Sequence, residues 1–181
     1  MIKDIEKTHI FSKEEKLKNF GHGPWIDEPD LYIFEYQDIK CEIKRIIATE
    51  VSGDVFGGYL CGYCHFPDNY LVKGLRNLDI DVHGGITFFE KCDENNVTII
   101  GFDCAHSGDL VPSSEIIKER YKLKTYDFIN YLYLNKRIFK NLNEKQIESI
   151  KKLIQHTYRD IDYVISECKN LADQIIKDYK K

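Results

Sequence analysis

Several features are missing from this sequence, and each absence closes off a class of protein. No apolar run approaches the ~20 residues that a membrane helix requires, so no membrane span is expected. The opening Met1-Ile2-Lys3-Asp4-Ile5-Glu6-Lys7 mixes charges and has no apolar h-region, so no secretory leader is expected either. An excess of positive charge is also lacking. Lys and Arg number 26 against 30 Asp and Glu, a net charge of −4. That balance argues against general binding to nucleic-acid backbones, which needs a positive field. It leaves room for a small anionic ligand, because a few local donors suffice to hold one. Repeats, low-complexity segments and an interdomain linker are absent too. The six cysteines (Cys41, Cys61, Cys64, Cys92, Cys104 and Cys168) are too sparse for a disulfide-framed mini-protein. Without a leader they read as reduced thiols in a cytoplasmic chain.

What is present is ordinary globular material. With 181 residues, 43% hydrophobic and 31% charged, the chain suits one domain that buries a core without disulfides or metals. Residues 12–20 predict a short helix, since Ser12 and Glu15 form a capping box. Residues 31–36 and 39–47 predict two strands, the second alternating Ile39, Cys41 and Ile43 against Lys40, Glu42 and Lys44. Gln37-Asp38 between them fits a hairpin loop. Residues 51–58 suggest a Gly-rich turn, and 59–66 a third strand that Pro67-Asp68-Asn69 ends. Two more strands are expected over 84–91 and 97–103, joined by the polar turn Asp93-Glu94-Asn95-Asn96. Helical spacing returns at 143–154 and in a long final helix. There Thr157 is the expected cap, and Ile161, Val164, Ile165, Cys168, Leu171, Ala172, Ile175 and Ile176 form the apolar stripe. The expected fold is therefore α+β: a mostly antiparallel sheet of about five strands, covered by a long C-terminal helix and additional helices. Residues 113–140 read as an insertion within the single domain.

Two motifs carry the candidate chemistry. Asp81-Val82-His83-Gly84-Gly85 leads into one strand, and Asp103-Cys104-Ala105-His106-Ser107-Gly108-Asp109 leaves the next. If those strands pair antiparallel, the two motifs meet at one end of the sheet. His83, Asp103, His106 and Asp109 are then the candidate catalytic residues. Two histidines and an aspartate (His83, Asp103 and His106) suit a divalent metal such as zinc with a position open for water. The same residues suit metal-free acid–base work, each imidazole oriented by a carboxylate. They equally suit a ligand clamp in which Gly84, Gly85 and Gly108 let backbone N–H groups approach phosphate or carboxylate oxygens, with Ser107 among the ligand contacts. Polar turn residues of these types also satisfy backbone groups and nothing more. Further ligand contacts are expected from His22 and Trp25 in the loop Gly21-His22-Gly23-Pro24-Trp25, and from Arg159 at the start of the last helix. Trp25 can also serve as a lid over the core, and Arg159 as a surface ion pair. Cys61 and Cys64 lie three apart on a strand and so point to opposite faces, which fits buried thiols better than a zinc half-site. Cys104 is a candidate nucleophile or a space-filler behind the site.

These motifs, together with Gly62-Tyr63, Ile86-Thr87-Phe88, Gly101-Phe102 and Tyr158-Arg159, resemble a family of small proteins common in bacteriophage and prophage genomes. The resemblance covers scattered motifs over most of the chain, with Cys64 and 113–140 as local departures. It implies a phage accessory protein in the host cytoplasm, a context in which small proteins counter host defence and some bind or cleave nucleotide-derived signals. No catalytic roles come with it. Three readings stand side by side: a phosphodiesterase-like hydrolase of a nucleotide-type or other phosphate-containing molecule, a sponge that sequesters such a molecule, and a protein-binding inhibitor of a host enzyme. Homo-oligomerisation is open in all three.

Overall fold

The computed structural model describes residues 2–51, 54–67, 80–92, 94–114, 116 and 157–179, without the side chains of 48–51, 54–56, 178 and 179. Period-2 patterning organises it. Strands β1 (Ile2–Thr8), β2 (Leu31–Tyr36), β3 (Ile39–Val51), β4 (Asp54–Pro67), β5 (Phe88–Cys92) and β6 (Val97–Asp103) form one sheet in the order β1-β2-β3-β4-β6-β5. Every neighbouring pair is antiparallel. Two α-helices lie among the described residues, α1 (Lys13–Phe20) and α2 (Ile161–Tyr179). The α+β class and the antiparallel sheet are as the sequence implies. No helix of the described residues is long and apolar enough to cross a membrane.

One face of the sheet builds the core. Phe34, Cys41, Ile43, Leu60, Cys64, Phe66, Ile100 and Phe102 are buried there against Val164, Cys168, Leu171, Ala172 and Ile175 of α2. The α2 stripe recurs at three- and four-residue steps, so one side of the helix is apolar throughout. Gly62 lets the helix come close: a Cβ there would lie 2.6 Å from Phe102 Cζ and 2.8 Å from Cys168 Sγ. Cys41 and Cys64 are cross-strand partners with their sulfurs 3.7 Å apart, and none of the six cysteines is in a disulfide.

Local chemistry sets the element ends. Ser12 Oγ accepts from Glu15 N, and Glu15 Oε2 accepts from Ser12 N, completing the capping box of α1. Gln37 and Asp38 take φ of 51° and 63°, the left-handed pair that a two-residue hairpin turn needs.

The structure corrects four expectations. There are six strands because Ile2–Thr8 pairs with β2 at the sheet edge. Its Ile-Lys-Asp-Ile-Glu-Lys-Thr puts charge on both faces, as edge strands do to block further pairing, so no hydrophobic alternation marks it. Residues 54–58 belong to β4 rather than to a turn. The strand expected from residue 84 begins only at Phe88, since Gly84 and Gly85 form a turn closed by Gly85 N to Val82 O at 2.9 Å. Thr157 does not cap the last helix. It makes a parallel bridge with Asp109, while Asp160 Oδ1 accepts from Tyr163 N at the helix start. The helix expected at 143–154 and most of the 113–140 stretch lie outside the described residues.

A buried ionic cluster fixes the start of α2. Arg45 donates Nε to Asp30 Oδ1 (2.8 Å), Nη1 to Tyr158 Oη (3.0 Å) and Nη2 to Glu28 Oε2 (2.8 Å). Lys16 Nζ lies 2.9 Å from Asp30 Oδ1, and Asp30 Oδ2 accepts from Ile10 N and Phe11 N. Glu28 Oε1 accepts from Ile161 N, so the loop after α1 holds the first turn of α2. The side chains of Lys16, Asp30 and Arg45 are fully buried. Such charges are tolerable only because every one is paired and hydrogen-bonded.

Candidate functional site

The two sequence motifs meet against the first turns of α2. Backbone hydrogen bonding lays the segment before β5 along the helix. Asp81 N donates to Gln174 Oε1 (2.9 Å), Asn170 Nδ2 donates to Asp81 O (2.8 Å), and His83 N donates to Glu167 Oε2 (2.8 Å). Residues 167, 170 and 174 share one helix side, as their spacing requires. The segment after β6 is held differently. Asp103 Oδ1 accepts from Ala105 N, an Asx-type turn, and Asp109 N donates to His106 O (2.9 Å). Leu110 N then donates to Thr157 O, and Thr157 N to Gly108 O. This short parallel bridge sets Arg159 beside Asp109.

Asp109 is the hub. Its side chain is almost wholly buried. Oδ2 accepts from His106 N (2.9 Å) and lies 2.8 Å from His83 Nε2, while Oδ1 accepts from Arg159 Nε (2.9 Å). His83 is held at both ring nitrogens, because its Nδ1 lies 3.0 Å from the Tyr163 hydroxyl. Burial, helped by the nearby Glu167 carboxylate, pushes the Tyr163 phenol above its ordinary range, so at neutral pH it keeps its proton. The arrangement that satisfies all three groups has Nε2–H donating to Asp109 and the Tyr163 O–H donating to Nδ1. Arg159 also stacks over the Tyr163 ring at 4.7 Å.

His106 is placed otherwise. Its ring meets that of His83 edge to face at 5.5 Å. Its Nδ1 lies 3.6 Å from Asp103 Oδ1 and 3.8 Å from Asp109 Oδ2, too far for a hydrogen bond to either. That nitrogen is shielded from solvent and has no hydrogen-bond partner among the described residues, although the ring as a whole is about one-third exposed. Gly84 makes the position possible: at φ +64°, a Cβ on it would fall 2.1 Å from His106 Cε1. One ligand atom from each of His83, His106 and Asp109 lies within 4.8 Å of the other two.

The candidates therefore separate. His83, His106, Asp109 and Arg159 are brought together, with Gly84 packed under His106. Asp103 stands beside His106, but the third group that converges with the histidines is Asp109 rather than Asp103. Ser107 is exposed at the tip of the turn, and Gly85 is half-buried with open space where a Cβ would go. His22 is exposed in its loop. Trp25 offers no free stacking face: it is 2% exposed, donates Nε1 to Gly21 O and packs edge-on against Tyr158. It acts as the lid over the core. Burial pushes the Cys104 thiol well above its ordinary range, which suits filler behind the site rather than a nucleophile. Cys61, likewise raised by burial, reaches about 12. Sequence reasoning missed Tyr163 and Glu167. The available signal was spacing, since Glu167 follows Tyr163 by four residues and so shares its side of α2.

No family model matches the chain, and no curated protein or solved structure matches it.

Proposed function

We propose that this chain is a hydrolase of a nucleotide-derived or other phosphate-containing small molecule, working as a phage-type accessory protein in the host cytoplasm. The observation that carries the reading is the convergence of His83, His106 and Asp109, with a shielded, unpartnered imidazole nitrogen on His106. Shielding that nitrogen without a hydrogen bond costs stability, which a ligand or ion at the site would offset. Arg159 commits Nε to Asp109, and among the described residues its other guanidinium N–H donors make no hydrogen bond, so they suit a phosphate oxygen. In the reaction, a water activated at the cluster forms a bond to phosphorus as the P–O bond to the leaving group breaks. The proton of the water ends on the departing oxygen. The phage context and the anti-defence role rest on the motif resemblance.

Incubation of the purified chain with a panel of cyclic and linear nucleotides, read by chromatography, tests the proposal. Turnover of at least one member is expected, with a loss of about 10²–10⁴-fold in His106→Ala. Absence of turnover across the panel, with divalent cations added, overturns hydrolysis. Intact ligand recovered from heat-denatured protein would assign sequestration instead. A host protein bound equally well by His83→Ala and His106→Ala chains would assign inhibition by docking.

A further inference from the structure

The hydrolase reading leaves open what activates the water. We infer that His83 Nε2, His106 Nδ1 and Asp109 Oδ2 are the protein ligands of a divalent first-row transition cation of the zinc class, with the remaining position open to water. The inference rests on that reading only for its chemistry; the ligand geometry stands independently.

Three observations carry it. First, the separations at Asp109 Oδ2, 2.8 Å to His83 Nε2 and 3.8 Å to His106 Nδ1, bracket the spacing between ligands of one ion. Bonds of about 2.1 Å in a tetrahedral set place neighbouring ligand atoms about 3.4 Å apart. The longer of the two separations is too wide for a hydrogen bond, and a cation between the atoms explains it without strain.

Second, the outer contacts are those that a metal site uses. A ligating histidine normally holds its other ring nitrogen on a hydrogen-bond partner, and His83 Nδ1 has the Tyr163 hydroxyl. Without an ion the 2.8 Å contact is the hydrogen bond from Nε2–H to Asp109; an ion would replace that proton, and the Nδ1–H tautomer would then donate to the Tyr163 oxygen and leave the Nε2 lone pair for the ion. Asp109 Oδ1 is fixed by Arg159 Nε, so Oδ2 is the oxygen turned to the histidines.

Third, His106 Nδ1 is shielded, has no hydrogen-bond partner among the described residues, and lies 3.6 and 3.8 Å from two carboxylates. Imidazole nitrogens select zinc-class ions over magnesium or calcium, which prefer all-oxygen shells. Asp103, 3.6 Å from the same nitrogen, is an outer carboxylate of the centre. A bound ion of this class lowers the pKa of its water toward neutrality, the activation that phosphoester hydrolysis needs.

Metal binding is measured directly on the full chain after chelation and dialysis, by titration with Zn²⁺ and by the visible absorption of Co²⁺. One equivalent of either ion is expected. His106→Ala and Asp109→Asn lose stoichiometric binding, and Tyr163→Phe weakens it about 10–100-fold. His22→Ala leaves it unchanged. Circular dichroism of His106→Ala, altered on a partly exposed turn, checks that the fold is intact. Failure of the wild-type chain to take up Zn²⁺ or Co²⁺, or binding indifferent to His106→Ala, overturns the inference. Turnover that persists in excess chelator also overturns it, while leaving the hydrolase reading in place. Stoichiometric metal without turnover does the reverse.

Discussion

Substitution of Gly84 by alanine separates the making of the site from the making of the fold. Gly84 and Gly85 both have left-handed backbone, at φ +64° and +86°. An alanine forced into that region costs about 1–2 kcal/mol at either position. For a chain of this size each kcal/mol moves Tm by roughly 2–4 °C. Both variants are therefore expected to melt about 2–8 °C below wild type. Their surroundings differ completely. Nothing lies within 4 Å of a Cβ at residue 85, whereas at residue 84 it would lie 2.1–2.3 Å from three atoms of the His106 ring. That ring is partly exposed, so it can swing outward at little additional cost to stability. Gly84→Ala should then match Gly85→Ala in thermal melts, yet lose both turnover and Co²⁺ absorption. The ring-proton resonance of His106 should move in the first variant and stay in the second. Equal activity in the two variants, or an unmoved His106 resonance in Gly84→Ala, would refute the reasoning that Gly84 positions His106.

Three other outcomes follow from the same physical description. Arg45→Ala takes the cation from Glu28 and leaves Asp30 with Lys16 alone, and breaking a buried ionic cluster in this way costs about 3–5 kcal/mol. A denaturant titration should report that loss, and a change below ~1 kcal/mol would show that the cluster relaxes into water. Thiol titration with an aromatic disulfide should find Cys92 reactive in the native protein and all six cysteines reactive in denaturant, because the other five are buried; rapid native labelling of Cys104 would revive it as a nucleophile. Glu42 is held down to about 2 chiefly by its hydrogen bond from His65, with Lys44 adding to the effect against the opposing cost of burial. A carboxyl depressed in the folded state stabilises fully above its unfolded value and progressively less as pH falls toward the folded one. Stability should thus decline from about pH 4.5 toward 2, and Glu42→Gln should flatten that decline; an identical acid profile in the variant would remove Glu42 from the account.

Short-range chemistry determined much of this protein in advance. The capping box at Ser12 and Glu15, the left-handed pair Gln37 and Asp38, the alternation along β3 and the apolar stripe of α2 each involve residues within a few positions of one another. Their physics is complete in a short window, so they were legible. The convergence of the His83 and His106 motifs was also legible, because antiparallel pairing of neighbouring strands leaves their outer ends side by side. Tertiary structure alone decided the rest. β1 carries no alternation because its partner is backbone on a charged edge. The Lys16–Asp30–Arg45–Glu28 cluster joins residues whose charge would ordinarily mark them as surface. Asp103 and Asp109 are equivalent in the sequence, both three residues from His106. Only the Thr157 bridge, which swings Arg159 onto Asp109, makes the second the buried hub and leaves the first at the rim. Nothing local to either aspartate records that choice, since it depends on where a helix more than fifty residues away begins.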